Sequence, residues 1–148
     1  MLSTALLPLL LAVTPQHLPI TAKWCLPQGC IGLEVPQTPQ QYQTGLMQRP
    51  PLGPWRGMWF RFQPKQRVHF WMKDCIAPLD LVYVRDGRVQ QIKANVPPCN
   101  AMPCPKYSSD APVDGVIELQ AGRAAELGLK PGSPAAPTPG STGLGAFR

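Results

Sequence analysis

The pattern of apolar and polar positions changes character along the chain. An uncharged apolar run, Leu6-Leu7-Pro8-Leu9-Leu10-Leu11-Ala12-Val13, comes first. It is shorter than the ~20 apolar residues a bilayer span needs and a proline interrupts it, so it predicts no stable membrane span. It suits the apolar centre of an export signal, with Ile20-Thr21-Ala22 supplying a small residue for cleavage, although no Lys or Arg precedes the run. Ile31-Gly32-Leu33-Glu34-Val35 then alternates apolar with other residues and predicts a strand. Met58, Phe60 and Phe62 alternate with Trp59 and Arg61. Beyond the turn Gln63-Pro64-Lys65-Gln66, Val68, Phe70 and Met72 alternate with Arg67, His69, Trp71 and Lys73. This predicts a β-hairpin whose face away from the core carries Trp59, Arg61, His69, Trp71 and Lys73 together. A second hairpin is predicted for residues 79–84 and 89–93, across a type I′ turn at Asp86-Gly87. Residues 113–120 again read as a strand.

Helical signals are short. Thr38-Pro39-Gln40-Gln41 is a capping box with proline at the first helical position, and Gly45 ends that helix within two turns, leaving Leu46 and Met47 to anchor it. Residues 123–127 predict a second short helix with Gly128 as its C-terminal cap. Residues 95–110 are too proline-rich for regular structure. From Pro131 the chain collapses to Pro, Gly, Ser, Ala and Thr, so residues 133–148 read as a disordered tail. The chain thus divides into a signal-like segment (1–22), one β domain (23–132) and that tail. The length, 148 residues, supports a single modest core, and 20 prolines with 13 glycines argue against a helical bundle.

Charge adds a polarity. The net charge is +6, residues 1–22 carry no charged side chain, and between Val35 and Lys73 there is no acid but Arg49, Arg56, Arg61, Lys65, Arg67 and Lys73 are present. Such a run attracts anions or simply forms a solvated face. It is the only footprint of nucleic-acid binding, and export would remove that partner, so no nucleic acid is expected.

Chemistry concentrates in Phe70-Trp71-Met72-Lys73-Asp74-Cys75-Ile76-Ala77-Pro78-Leu79-Asp80. Charges this close to Trp, Phe and Met must be exposed or paired. Lys73 and Asp80 are expected to meet across residues 74–77 beside Trp71, with Arg49 and Tyr107 as contributors. That set suits a small polar or anionic ligand. The competing reading has Asp80 accepting backbone N–H bonds, or pairing with Lys73 only to close a turn. Trp59 and Trp71 are either a stacking platform or a second apolar layer. Two other functions stay open: an enzyme working on a polar substrate through Lys73 and Asp80, and a protein-interaction module. A Cys75–His69 nucleophile would require a turn after Met72 to bring thiol and imidazole within reach. Of the five cysteines, Cys99 and Cys104 flank a tight proline-rich loop and read as a disulfide in an exported protein, against free thiols or a metal site. Zinc would want more ligands than lie nearby, so neither a metal nor a cofactor is expected. Cys25 and Cys30 offer a second bridge, leaving Cys75 odd.

Taken in order, Gly45-Leu46-Met47-Gln48-Arg49, Gly57-Met58-Trp59-Phe60, Phe70-Trp71-Met72-Lys73, Pro78-Leu79-Asp80, Pro98-Cys99 with Cys104 and Tyr107, and Ile117-Glu118-Leu119 with Ala121-Gly122 resemble the DUF192 (UPF0127) family over residues 31–132. The resemblance implies a mainly β domain, a single small antiparallel β-sandwich or barrel with one or two short helices. It implies export for many members and no established activity. This chain departs from the family twice. Asp74-Cys75 stand where Asn-Thr is usual. After Leu129-Lys130-Pro131-Gly132 the usual final strand gives way to Ser133-Pro134-Ala135-Ala136-Pro137, which is expected to leave an edge bare.

Overall fold

In a computed structural model, which describes residues 12–140, the strands form along the alternating stretches. Strands β1 (Ile20–Leu26) and β2 (Gly29–Glu34) make a hairpin in which Cys25 faces Cys30 and the two sulfurs are bonded. Helix α1 (Pro39–Thr44) starts at the capping box: the Gln41 N–H donates to Thr38 Oγ1 and the Thr38 N–H to Gln41 Oε1. Then come β3 (Arg56–Gln66), β4 (His69–Phe70), β5 (Leu79–Arg85) and β6 (Arg88–Val96). They are followed by β7 (Tyr107–Ser108), β8 (Val113–Gln120), helix α2 (Arg123–Glu126) and β9 (Thr138–Pro139).

Seven strands form one sheet in the order β6-β5-β8-β3-β2-β1-β9; β4 and β7 form a second, two-stranded one. Every pairing is antiparallel except β2 with β3. The main sheet stays open, so the architecture is sandwich-like and not a barrel. Side chains alternate between its faces, and each face carries its own core. Trp24, Ile31, Leu33, Val82, Ile117 and Leu119 fill one, covered by Ala124 and Leu127 around α2. Met58, Phe60, Leu81, Tyr83 and Val116 fill the other, under Leu46, Val68 and Met72. Burial on both sides explains why β5 is largely apolar up to Arg85, interrupted by Asp80 and Tyr83. The β5–β6 hairpin turns at Asp86-Gly87 with φ of 51° and 73°, the positive pair a type I′ turn requires.

The first predicted hairpin does not exist. β3 pairs with β2 and β8, while β4 pairs with β7. Alternation fixes which side chains share a face, not which strand lies alongside, and β3 is long enough to be held between two other strands. Trp59 is consequently on the other side from Trp71's surroundings. It packs against the first core, lying across Gly115, where an added Cβ would come 2.9 Å from the indole Nε1. Met58, Phe60 and Val68 do share the second core, with Phe70 packed against it.

The sheet extends past both predicted domain boundaries. Ala22 is buried within β1, so residues 20–22 belong to the domain. Beyond Gly132, Ala135 is buried and β9 pairs with β1, covering part of its edge. The apolar run of residues 6–11 and the end of the tail, 141–148, lie outside the described residues.

Asp80 ties the layers together. Its Oδ1 accepts the N–H groups of Asn95 (2.8 Å) and Gly122 (3.1 Å), and its Oδ2 that of Ala124 (2.8 Å). One fully buried carboxyl group thus fixes the end of β6 and the start of α2. Asp80→Ala would orphan all three donors at once. We expect it to lose about 3 kcal/mol or more in urea unfolding, since each buried unpaired donor costs ~1–3 kcal/mol. A loss under ~1 kcal/mol, within the range of ordinary surface changes, would refute that role.

Candidate functional site

The alternation of β8 decides the site. Ile117 and Leu119 face the first core, so Glu118 projects with Val116 toward the second. Glu118 stands opposite Met58 of β3 and Leu81 of β5, with paired strands on both sides. It is 5% exposed, and its Oε2 has no hydrogen-bond partner. Burial alone pushes its carboxyl up from 4.5 to about 8. Around neutrality it is therefore an uncharged acid with one donor and one acceptor face.

Above Glu118 lies a cleft of about 280 Å³. Its walls are aromatic: Tyr42 from α1, Phe60 and Phe62 from β3, and Phe70 from β4. The rings meet edge to face, with Phe60 and Phe70 centroids 5.0 Å apart and Tyr42 5.8 Å from Phe60. Leu46, Met47 and Cys75 are buried beside them, whereas Trp71, Lys73 and the exposed His69 form the rim. Lys73 Nζ sits 5.3 Å from the centre of the Trp71 ring. Both residues also line an adjoining cavity that reaches Val13 and Thr14.

The rim is held from three directions. The Met72 carbonyl accepts from the Cys75 N–H (3.2 Å) and the Cys99 N–H (3.1 Å). The Asp74 carbonyl accepts from both the backbone and the side-chain N–H of Gln48, at 2.9 and 3.0 Å. Cys99 is bonded to Cys104, so the proline-rich loop is closed where it grips Met72.

The residues expected to form the site separate. Trp71 and Lys73 are at the rim. Asp80 points to α2 and does not line the cleft; its oxygens are taken by backbone N–H groups, so it does not meet Lys73. Arg49 is paired with Glu34, Nη1 and Nη2 each 3.0 Å from a carboxylate oxygen, beside a different hollow. Tyr107 pairs with Phe70 in the small sheet, and its carbonyl accepts the Tyr83 O–H at 2.7 Å. The turn after Met72 does form and brings Cys75 and His69 to one cleft. Yet His69 Nδ1 lies 2.6 Å from Ser108 Oγ, and burial, with the carboxylates of Glu118 and Asp74, pushes the Cys75 thiol up to about 12. That is the opposite of an activated nucleophile. Among the described residues no group of three or more His, Cys, Asp or Glu is placed to hold a metal ion.

Glu118 is the buried carboxyl lining the cleft and was not singled out for chemistry from the sequence. Its signal was a lone carboxylate in an apolar strand, Val116-Ile117-Glu118-Leu119, where neighbours on both sides predict burial.

A family profile of uncharacterised proteins, described as "Uncharacterized ACR", matches residues 25–136. The chain belongs to the DUF192 family. Two solved structures resemble this DUF192 domain. One is a "putative transcription regulator" from Sinorhizobium meliloti 1021, 30% identical, with a TM-score of 0.69 over 80% of this chain and 91% of that one. The other is a protein of unknown function from Novosphingobium aromaticivorans DSM 12444, 32% identical, with a TM-score of 0.68 over 82% and 91%. No curated protein matches the chain.

Two outcomes are expected. The folded chain holds the Glu118 proton more tightly than the unfolded one, so its contribution to stability is greatest below about 4.5 and declines as pH rises through about 8. Glu118→Gln should flatten that decline and raise stability above pH 8 by about 3–5 kcal/mol; an unchanged pH profile of urea midpoints would contradict it. Thiol titration should find no reactive cysteine in the native protein and one, Cys75, after unfolding without reductant. More than one would break the disulfide assignment.

Proposed function

We propose that this DUF192 protein is an exported binding module that takes a small polar or anionic ligand in the cleft above Glu118. The observation that carries the reading is a buried carboxyl oxygen left without a partner at the floor of an aromatic cleft. Native folds satisfy nearly all buried polar atoms, and an exception at a cleft is a place where a ligand, like a water, can supply the bond. Apolar walls with a few convergent polar groups are what small-molecule sites look like. Trp71 offers a stacking surface at the rim and Lys73 a cation for an anionic group.

Two disulfides in one small domain fit an oxidising compartment, which supports export. No helix of the described residues is long and apolar enough to cross a membrane. The enzyme reading through Lys73 and Asp80 loses its pair, because Asp80 is committed to α2. A protein-docking reading lacks its apolar face: among the described residues the large exposed apolar side chains are Ile76 and Met102, single residues and not a Trp platform. We also leave nucleic acid out of the proposed partners. Much of the basic run has local roles, with Arg49 on Glu34, Lys65 on Asp86 and Arg61 over Trp59.

The test is a thermal-shift screen of small polar and anionic compounds, since any binder of the native state raises its melting temperature. The affinity of each hit is then measured on folded Trp71→Ala and Lys73→Ala variants. We expect at least one hit, weakened about tenfold or more by each change, or ~1.4 kcal/mol. Hits unaffected by both would move the site elsewhere.

A further inference from the structure

Resting on that cleft reading, we propose that the ligand is a planar, single-ring-sized molecule with a neutral, amide-like head on Glu118 and an anionic tail on Lys73. The size follows from the cleft, whose 280 Å³ falls just under the ~300 Å³ at which drug-sized sites begin. The shape follows from the walls, since Phe60, Phe62 and Phe70 present rings to whatever lies between them and the floor.

The head follows from the floor. Glu118 lines the cleft, and its Oε2, unpartnered in apolar surroundings, comes to the cleft only when the carboxyl group turns about its terminal bond. A cationic head would require Glu118 to ionise there and would enter past Lys73 in a protein of net charge +6. A carboxylate head could take one proton-donated bond but would set its other oxygen against the acceptor face of the acid. A primary amide or lactam presents donor beside acceptor in one plane and, with the carboxyl turned to the cleft, satisfies both faces of the protonated acid at once. Lys73, the ammonium at the rim, then meets a negative tail.

Three benzoates that share a ring and a carboxylate and differ only at the para position separate these cases: 4-carbamoylbenzoate, 4-amidinobenzoate and terephthalate. Calorimetry with the full chain near pH 6 should find the carbamoyl compound about tenfold or more tighter than the other two, the amidine being its cationic isostere. Glu118→Gln keeps a donor and an acceptor and should hold its affinity within about threefold, while Glu118→Leu should lose about tenfold or more. Lys73→Ala should weaken the carbamoyl compound and leave benzamide, which has no tail, unchanged. Affinity should fall once Glu118 ionises. The other titratable groups around it are Tyr42, His69, Lys73, Cys75 and Tyr83; burial and nearby carboxylates hold the Cys75 thiol and the Tyr83 phenol protonated beyond that range.

If the amidine or terephthalate binds tightest, or Glu118→Gln abolishes carbamoyl binding, the head is misassigned and the cleft reading stands. If Lys73→Ala leaves the carbamoyl compound unaffected, the tail assignment falls. If none of the three benzoates binds at millimolar concentration, this inference is overturned; the cleft reading falls with it only if the screen also yields no hit sensitive to Trp71→Ala or Lys73→Ala.

Discussion

A sheet buried on both faces must find a partner for every polar atom inside it, and here that constraint falls on two carboxyl groups of adjacent central strands. Asp80 on β5 and Glu118 on β8 are separated by a single ladder step, Asp80 opposite Leu119 and Leu81 opposite Glu118. The one-residue offset sends them to opposite layers. Asp80 finds three backbone N–H groups and becomes a fastener for β6 and α2. Glu118 faces aromatic rings and a thiol, and its Oε2 finds none. The same chemistry, placed on opposite faces, yields a structural tie in one layer and an oxygen without a hydrogen-bond partner in the other.

Much of the fold was legible in the residues. The capping box, the Asp86-Gly87 turn, β8 and the cysteine pairs are set by neighbours within five positions, and local geometry suffices for them. The partner of β3 was not legible, because both β2 and β8 reach it from far along the chain. Strand β1 was hidden by its position beside the apolar N-terminal run, although Ala22 and Trp24 alternate inward with Lys23 and Cys25 outward. Strand β9 was masked by composition. Ser133-Pro134-Ala135-Ala136 has the make-up of a tail, but its backbone bonds to Val89 and Gly87 carry it across the β5–β6 hairpin to the sheet's other edge.

The site divided along a similar line. Trp71 and Lys73 were recognisable because aromatic and charged residues alternating in a strand must end at a surface. Asp80 and Arg49 were recognisable as charges needing partners, but which partner depends on tertiary contacts. The backbone of α2's first turn claims one and Glu34 the other. Glu118 was visible only as an anomaly, a carboxylate where the pattern calls for an apolar side chain. Its meaning depends on what covers that face, and the cover comes from α1, β3 and β4 together.

In the proposed cleft reading, the cover is also what makes an uncharged acid useful. In water a carboxyl group near neutrality is ionised and hydrated, and it discriminates poorly among donors. Buried in the same layer as Phe60, Phe70 and Leu46, Glu118 is held protonated around neutrality and in the proposed reading offers a directional donor–acceptor pair. A ligand lacking the complementary pair would leave a buried polar atom unsatisfied, which is a far stronger basis for rejection than a missing apolar contact. The rim contributes the opposite quality. Lys73 is a long, partly exposed cation on a segment held by Gln48 and the Cys99–Cys104 loop, so it can meet an anion over a range of positions without strict geometry. In the proposed reading, attraction falls to Lys73 on the segment after β4 and selection to Glu118 on β8. The disulfide-closed loop holds the Met72 carbonyl, next to Lys73, through the Cys99 N–H.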